Sequence, residues 1–359
     1  MLLLVEGLVR DIGPSRLTLA PVTFDRLSGW RHDGVAAALL PFLKSCSRFL
    51  ARPETAPFDS LPSRVDYGQV GDWRAPCRAA LSLPQGDDAA ARRFFEGNFV
   101  PFAVADRGEP QGLFTGYFEV ELKGSRRRHG PYQTPLYRRP PRDLATRYSR
   151  AEIEDGALKG RGLALVWVDD PIAAFFLQIQ GSGVIKLDDG TAIRVGYAGQ
   201  NGRPYVPIGR VLLERGVIPR AELTMQRLRD WLKAHPKEGD ALRRQDPSYV
   251  YFREIKGDGP IGAEGIALTA ERSLAVDRHF IPLGVPIWLD AQQRFGTKAR
   301  LRRLFVAQDT GGAIRGPVRG DLFWGTGAAA GVSAGATNAY GRYFVLLPRA
   351  VADRLAATS

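Results

Sequence analysis

The stretch Val306-Ala307-Gln308-Asp309-Thr310-Gly311-Gly312-Ala313-Ile314-Arg315-Gly316, continuing Pro317-Val318-Arg319-Gly320-Asp321-Leu322-Phe323-Trp324-Gly325-Thr326-Gly327, decides how the chain is read. An apolar run delivers Asp309 into a glycine-rich turn, and Asp321 follows twelve residues later at the head of an aromatic segment. Glycines permit tight turns and let a bulky ligand approach the backbone. A carboxylic acid set against apolar neighbours resists ionisation, and a second carboxylate nearby strengthens that resistance. Leu322, Phe323 and Trp324 offer such a setting to Asp321, with Asp309 as the second carboxylate. This pairing suits acid chemistry on a glycosidic bond. By spacing alone, both aspartates serve equally well as turn or cap residues.

Working outward, 359 residues allow one large or two medium domains. A hydrophobic fraction of 44% and a charged fraction of 25% are those of a soluble globular chain. The 40 glycines and 25 prolines favour turns and irregular β structure over long helices. A net charge of +12 suits an anionic partner such as nucleic acid, a membrane surface or an acidic polymer. The polymer reading fits a cell wall, whose peptide stems carry carboxylates. Nucleic acid is disfavoured because the arginines form no recognisable binding motif.

Cys46 and Cys77 are too few for a disulfide scaffold and lack zinc spacing. They are either two free thiols or, in an exported protein, one disulfide. His32, His129, His235 and His279 are scattered, so no metal site is expected, and no phosphate or dinucleotide fingerprint points to a cofactor. No stretch has the length of a membrane span. The start at Met1 is too short for the apolar core of a signal peptide and has no cysteine to carry a lipid.

Residues 33–50 read as an amphipathic helix capped by Asp33 and kinked at Pro41. Residues 88–96 read as a second helix, with Asp87 as cap and Gly97 as stop. Residues 113–122 are aromatic and β-branched, which predicts a strand. The basic, proline-rich residues 124–150 read as exposed loop or edge structure. Residues 163–197 read as short strands, including the alternating Phe175-Phe176-Leu177-Gln178-Ile179-Gln180, with Gly181-Ser182-Gly183 as a turn. Asp188-Asp189-Gly190-Thr191 signals a hairpin. Helices are expected over 207–215, 221–234 and 238–245. Strands return at 285–289, where Pro286 suggests an edge or bulged strand, and at 300–306 and 343–347. One β-rich domain interrupted by another, with crossings near 118 and 260, fits this order.

Several side chains suit a sugar. Tyr117, Phe118, Trp288, Phe323, Trp324 and Tyr340 could stack on its faces, and Thr115, Gln178, Gln180, Ser182 and Asn338 could bond to hydroxyl or acetamido groups.

At these residues the sequence resembles the membrane-bound lytic murein transglycosylase A family. Thr115-Gly116-Tyr117-Phe118-Glu119 is similar to the family's Thr-Gly-Tyr segment, with Val120 where proline is usual. Residues 178–183 and Gly196-Tyr197-Ala198-Gly199-Gln200-Asn201-Gly202 match two further elements. Asp246-Pro247-Ser248-Tyr249-Val250-Tyr251-Phe252 matches another, with Asp246 in place of asparagine. Residues 274–284 and the aspartate block complete the set, so the resemblance spans roughly residues 25 to 347.

The resemblance implies a mainly β protein with peripheral helices. Residues 1–117 and 260–359 would form a discontinuous double-psi β-barrel, residues 118–259 an inserted second small barrel, and a groove between them would hold the glycan. It implies Asp321 as catalytic acid and Asp309 as a supporting group. Thr115, Gly116, Tyr117, Gln178, Gln180, Gly181, Ser182, Tyr197, Gly312, Ala313 and Phe323 would line the substrate. The implied reaction cleaves the β-1,4 bond between N-acetylmuramic acid and N-acetylglucosamine in peptidoglycan without water, leaving 1,6-anhydromuramoyl ends. No cofactor is implied. The protein is expected to be a monomer acting on peptidoglycan strands in the periplasm, with peripheral association to the outer membrane or cell-wall machinery. An inverting hydrolase on the same barrel and a non-catalytic wall-binding module are the competing readings.

Overall fold

The computed structural model describes residues 16–58, 65–220, 222–257, 259–294 and 299–357. The segment beginning at Met1, read above for a leader, lies outside them. Helices and strands take about equal shares, so the expectation of a mainly β chain is corrected. No described helix is long and apolar enough to cross a membrane.

The chain divides into two compact units. Of the described residues, one contains Tyr117–Pro260 and Trp324–Ala336; the other contains those from Arg16 to Gly116, those of Ile261–Phe323 and those from Thr337 onward.

In the second of these, Asn338–Pro348 is the organising strand. One edge pairs with Pro286–Gln293. The other edge is shared: its far half pairs with Phe99–Asp106 and its near half, through Asn338–Gly341, with Gly112–Thr115. Pro286–Gln293 is paired on both sides, since Arg300–Asp309 lies against its other edge. The edge or bulged strand expected from Pro286 is therefore corrected, since the register is unbroken on both sides. Pro286 is the first residue of the strand, where a missing N–H is tolerated. Ser273–Val276 follows, parallel to Arg300–Asp309 and antiparallel to Arg319–Thr326. Gly112 and Gly341 face each other in register. A Cβ on Gly112 would lie 1.7 Å from the Val318 carbonyl oxygen, and one on Gly341 2.4 Å from Ala291 Cα. Only glycine fits this crossing.

Helices Leu39–Leu50, Val70–Leu81 and Asp88–Asn98 belong to the same unit. Asp33 does not cap the first; the helix starts at Leu39 after a 3-10 turn, and Asp33 pairs with Arg272 instead. Pro41 sits in the first turn, where no intrahelical N–H bond is lost. Asp87 does cap its helix, accepting from Ala90 N, but Gly97 lies inside the helix rather than ending it. Cys46 and Cys77 form a disulfide between the first two helices.

In the other unit, Ser182–Leu187 lies between Val120–Gly124, to which it is parallel, and Ala192–Gln200, which Val250–Ile255 extends. The segment Phe175–Gln180 is helical, within Pro171–Gln180, not a strand. Asp170 accepts from Ile172 N and Ala173 N, Pro171 opens the first turn, and Gly181 closes the helix at φ +83°. Burial runs from Ala173 to Gln178 on all faces, so two-residue alternation carried no information there. Within 124–150 the structure adds a strand, Thr134–Tyr137, and a short helix, Arg142–Ala145.

The disulfide closes a loop with a sequence separation of 31. Replacing both cysteines by serine should therefore lower unfolding free energy by about 3 kcal/mol. Denaturant titration of the Cys46→Ser/Cys77→Ser variant checks this; an unchanged midpoint would mean the link adds nothing.

Candidate active site

Asp321 is carried by the strand Arg319–Thr326, opposite Ala275. Asp309 ends the strand Arg300–Asp309 and is also opposite Ala275, on the other side. One short strand thus separates the two aspartates, and at ordinary strand spacing their Cα atoms lie about 10 Å apart.

The Asp321 side chain is only 4% exposed. Its Oδ1 accepts from Thr115 Oγ1 at 2.6 Å, and Thr115 Oγ1 accepts in turn from Arg319 Nη2 at 2.8 Å. The guanidinium polarises the hydroxyl that holds the carboxylate, a charge-assisted relay in a dry setting. Burial pushes the Arg319 pKa down, and the Asp321 charge opposes that shift. Arg319 also donates to the carbonyls of Leu113 and Gly320. The alternation of a strand explains the pairing: residues 319 and 321 share one face.

Asp309 is half-buried and differently held. Its Oδ1 accepts from Ala263 N and Thr310 N, both at 2.9 Å. A register shift precedes it, between Ala307 and Asp309. Gln308, fully buried in that irregularity, donates to Pro41 O and Ser45 Oγ and accepts from Ser273 Oγ. Ser45 Oγ donates to Glu264 Oε2 at 2.7 Å. Burial raises the Glu264 pKa to about 7, against the Ser45 hydrogen bond and the Arg48 charge. The turn after Asp309 is fixed by Asp277, whose Oδ2 accepts from Gly316 N.

The remaining expected residues divide between the units. Gly116 is buried beside Thr115, and Gly312 and Ala313 are exposed in the turn after Asp309. Phe323 is 2% exposed, a core side chain rather than a surface on which a sugar could stack. In the other unit, Tyr117 is half-buried and Tyr197 is exposed. Gln180 Oε1 accepts from Phe118 N, while Gln178 Oε1 is buried without a partner among the described residues. Gly181 ends the helix and Ser182 begins the next strand, opposite Gly196 and so one residue from Tyr197.

Comparison with known proteins accords with this arrangement. Residues 113–253 match the profile of the MltA specific insert domain and residues 272–347 that of the 3D domain. The membrane-bound lytic murein transglycosylase A of Escherichia coli K12 is 38% identical over 289 residues, 78% of this chain and 75% of that protein. The chain belongs to the membrane-bound lytic murein transglycosylase A family. Among solved structures, the membrane-bound lytic murein transglycosylase of Agrobacterium tumefaciens superposes with a TM-score of 0.81 at 32% identity, covering 94% of this chain and 99% of that one. Escherichia coli MltA with bound chitohexaose superposes with a TM-score of 0.70 at 28% identity, covering 94% and 95%.

Three supporting residues escaped the sequence reading. Arg319 was legible from its two-residue spacing to Asp321. Asp277 and Gln308 were not, because Gly316, which bonds Asp277, and Pro41 and Ser45, which bond Gln308, lie 39 or more residues away in sequence.

Glu264 yields a pH test. The unfolded chain releases this proton near 4.5 and the folded one near 7, so the folded state holds more protons in between. Stability should fall as pH rises through that window. Glu264→Gln, neutral throughout, should gain thermal stability relative to the parent between pH 5 and 7.5. Parallel melting curves across that range would contradict the assignment.

Proposed function

We propose that Asp321 is the acid, and then the base, of glycan cleavage, with Asp309 in support. The protein is a peptidoglycan lytic transglycosylase. One observation carries the residue assignment: Thr115 engages Asp321 Oδ1, while Oδ2 receives no hydrogen bond from a described residue. A carboxyl held by one oxygen presents the other to a substrate.

In its acid form Asp321 protonates the glycosidic oxygen, and positive charge develops at the muramoyl C1. The carboxylate then takes the proton of that sugar's own C6 hydroxyl, whose oxygen closes the 1,6-anhydro ring. The tethered hydroxyl replaces water, so no second carboxylate is needed to activate a nucleophile. Thr115 keeps the carboxyl oriented through both transfers, and Arg319 steadies the carboxylate formed after the first. Asp309, its Oδ1 occupied by two backbone amides, supports the turn before the strand of Asp321.

The same reading assigns acid chemistry to the discontinuous part of the chain and glycan binding to the insert, through Tyr117, Gln178, Gln180, Gly181, Ser182 and Tyr197. Gly116, Gly312 and Ala313 provide close backbone approach. The same reading takes the discontinuous part of the chain as the double-psi barrel that family membership implies. Action outside the cytoplasm, at the periplasmic face of the outer membrane, is supported by the disulfide and by the membrane-bound relatives.

Asp321→Asn should abolish release of anhydromuropeptides from murein sacculi while chitohexaose binding persists; wild-type turnover in this variant would refute the assignment. Mass spectrometry of the wild-type products should show anhydro ends, and reducing ends would mean hydrolysis. Thr115→Val removes one hydrogen bond to a charged group and should lower kcat by about ten- to a hundredfold with KM little changed.

A further inference from the structure

We propose that Arg138, Arg139, Arg142, Arg147 and Arg203, grouped beside Tyr197, bind the carboxylates of the peptide stems that peptidoglycan carries. The proposal rests on the substrate reading above and extends it from the sugar chain to its peptides.

Four of the arginines lie within the ten residues 138–147, and Arg203 joins them from further along the chain in one corner of the Tyr117–Pro260 unit. Arg138 forms a β-bridge with Phe252, the register partner of Tyr197. Asn201 Nδ2 donates to Tyr148 O, and Arg203 Nη2 reaches Arg147 O. These contacts fix the segment 138–148 against 197–203. All five guanidinium side chains are exposed, as is Tyr197.

Cations outnumber acids in this corner. Among the described residues, no carboxylate lies within ion-pair distance of any of the five. Asp143 lies within the same segment, and two nearby acids feel these cations, Glu254 that of Arg138 and Glu152 that of Arg203, but both are bonded to other groups. Glu254 gives both oxygens to Arg126, and Glu152 Oε2 accepts from Ser149 N and Oγ. Elsewhere in the unit, Arg150, Arg194, Arg243 and Arg244 each meet a carboxylate. An ordinary solvated surface of this composition would interleave the two signs, so the local excess of cations needs another account.

Arg139 also lies against the backbone at Gly199. Its Cδ and Nε lie 2.8 Å from where a Cβ on Gly199 would stand, and Gly199 has φ +145°. Any other residue there would displace the arginine. A guanidinium laid along the backbone beside an exposed phenol is pre-organised for a carboxylate next to a sugar face: the fork takes the acid and the ring takes the apolar surface. A stem-bearing glycan offers both, with a carboxylate-bearing peptide on alternate sugars. A neutral chitooligosaccharide offers only the ring.

The test uses the whole protein with three substitutions together, Arg138→Gln, Arg139→Gln and Arg142→Gln. On stem-bearing sacculi KM should rise about tenfold at low salt, with kcat little changed, and the difference should shrink at high salt. Affinity for chitohexaose and turnover of glycan strands stripped of their stems should match the parent. In the triple-variant background, restoring position 139 as lysine should recover part of the loss, since charge but not the fork returns. Equal losses on stripped and stem-bearing strands would overturn the proposal, as would unchanged KM on sacculi. Unchanged KM combined with lost retention of duplex DNA would overturn it in favour of nucleic acid. A parent protein that releases no anhydro ends would instead sink the substrate reading on which the proposal rests.

Discussion

A carboxylate withdrawn from water persists only where its charge and its hydrogen-bonding capacity are met nearby. Asp321 meets that condition through Thr115 and Arg319, and much of the second unit exists to bring those three together. Arg319 and Asp321 come from one strand, but Thr115 arrives from a strand more than two hundred residues earlier. Its position depends on the register Asn338↔Thr115 and on the glycine pair Gly112 and Gly341, three steps further along. A side chain at Gly112 would strike the Val318 carbonyl, immediately before Arg319. The clamp and the backbone crossing are therefore one construction.

The two aspartates have different local chemistry although both flank Ala275. Asp309 accepts from the backbone amides of Thr310, which follows it, and of Ala263 in a separate loop, so these contacts fix chain direction. Asp321 is tied by side chains, so its contacts fix charge and orientation and leave an oxygen over. Spacing in the sequence treated the pair as a like-charge couple. The intervening strand, with backbones about two strand spacings apart, makes them separate devices instead.

Legibility followed range. The strand at 113–122, the hairpin around Asp189-Gly190 and the helix capped by Asp87 are written in neighbouring residues, and the structure has all three. Phe175–Gln180 misled because a helix buried on every side shows whatever alternation its sequence happens to contain. Pro286 misled because a proline opening a central strand looks like a proline at an edge. The aromatic setting expected for Asp321 is only part of the picture: Leu322 and Phe323 are core, but the group that holds the carboxyl is Thr115, itself held by Arg319. Phe323 as a stacking surface failed for the same reason, since its burial makes it part of the support.

Support for Asp309 reaches back to the first long helix. Pro41 and Ser45 receive the Gln308 amide, and Cys46, the next residue, is bonded to Cys77 on the following helix. Gln308 sits in the irregularity that sets the direction of Asp309, so a displaced helix would withdraw its two acceptors at once. An unsatisfied buried amide is costly, which ties the helix to the strand end more firmly than apolar contact alone would. Glu264 bonds the same serine, and its backbone N–H donates to Gln308 O. Helix, strand end and the loop carrying Ala263 thus close on one buried glutamine. A covalent link on the helix one residue from that junction restrains the turn of Asp309 without touching it.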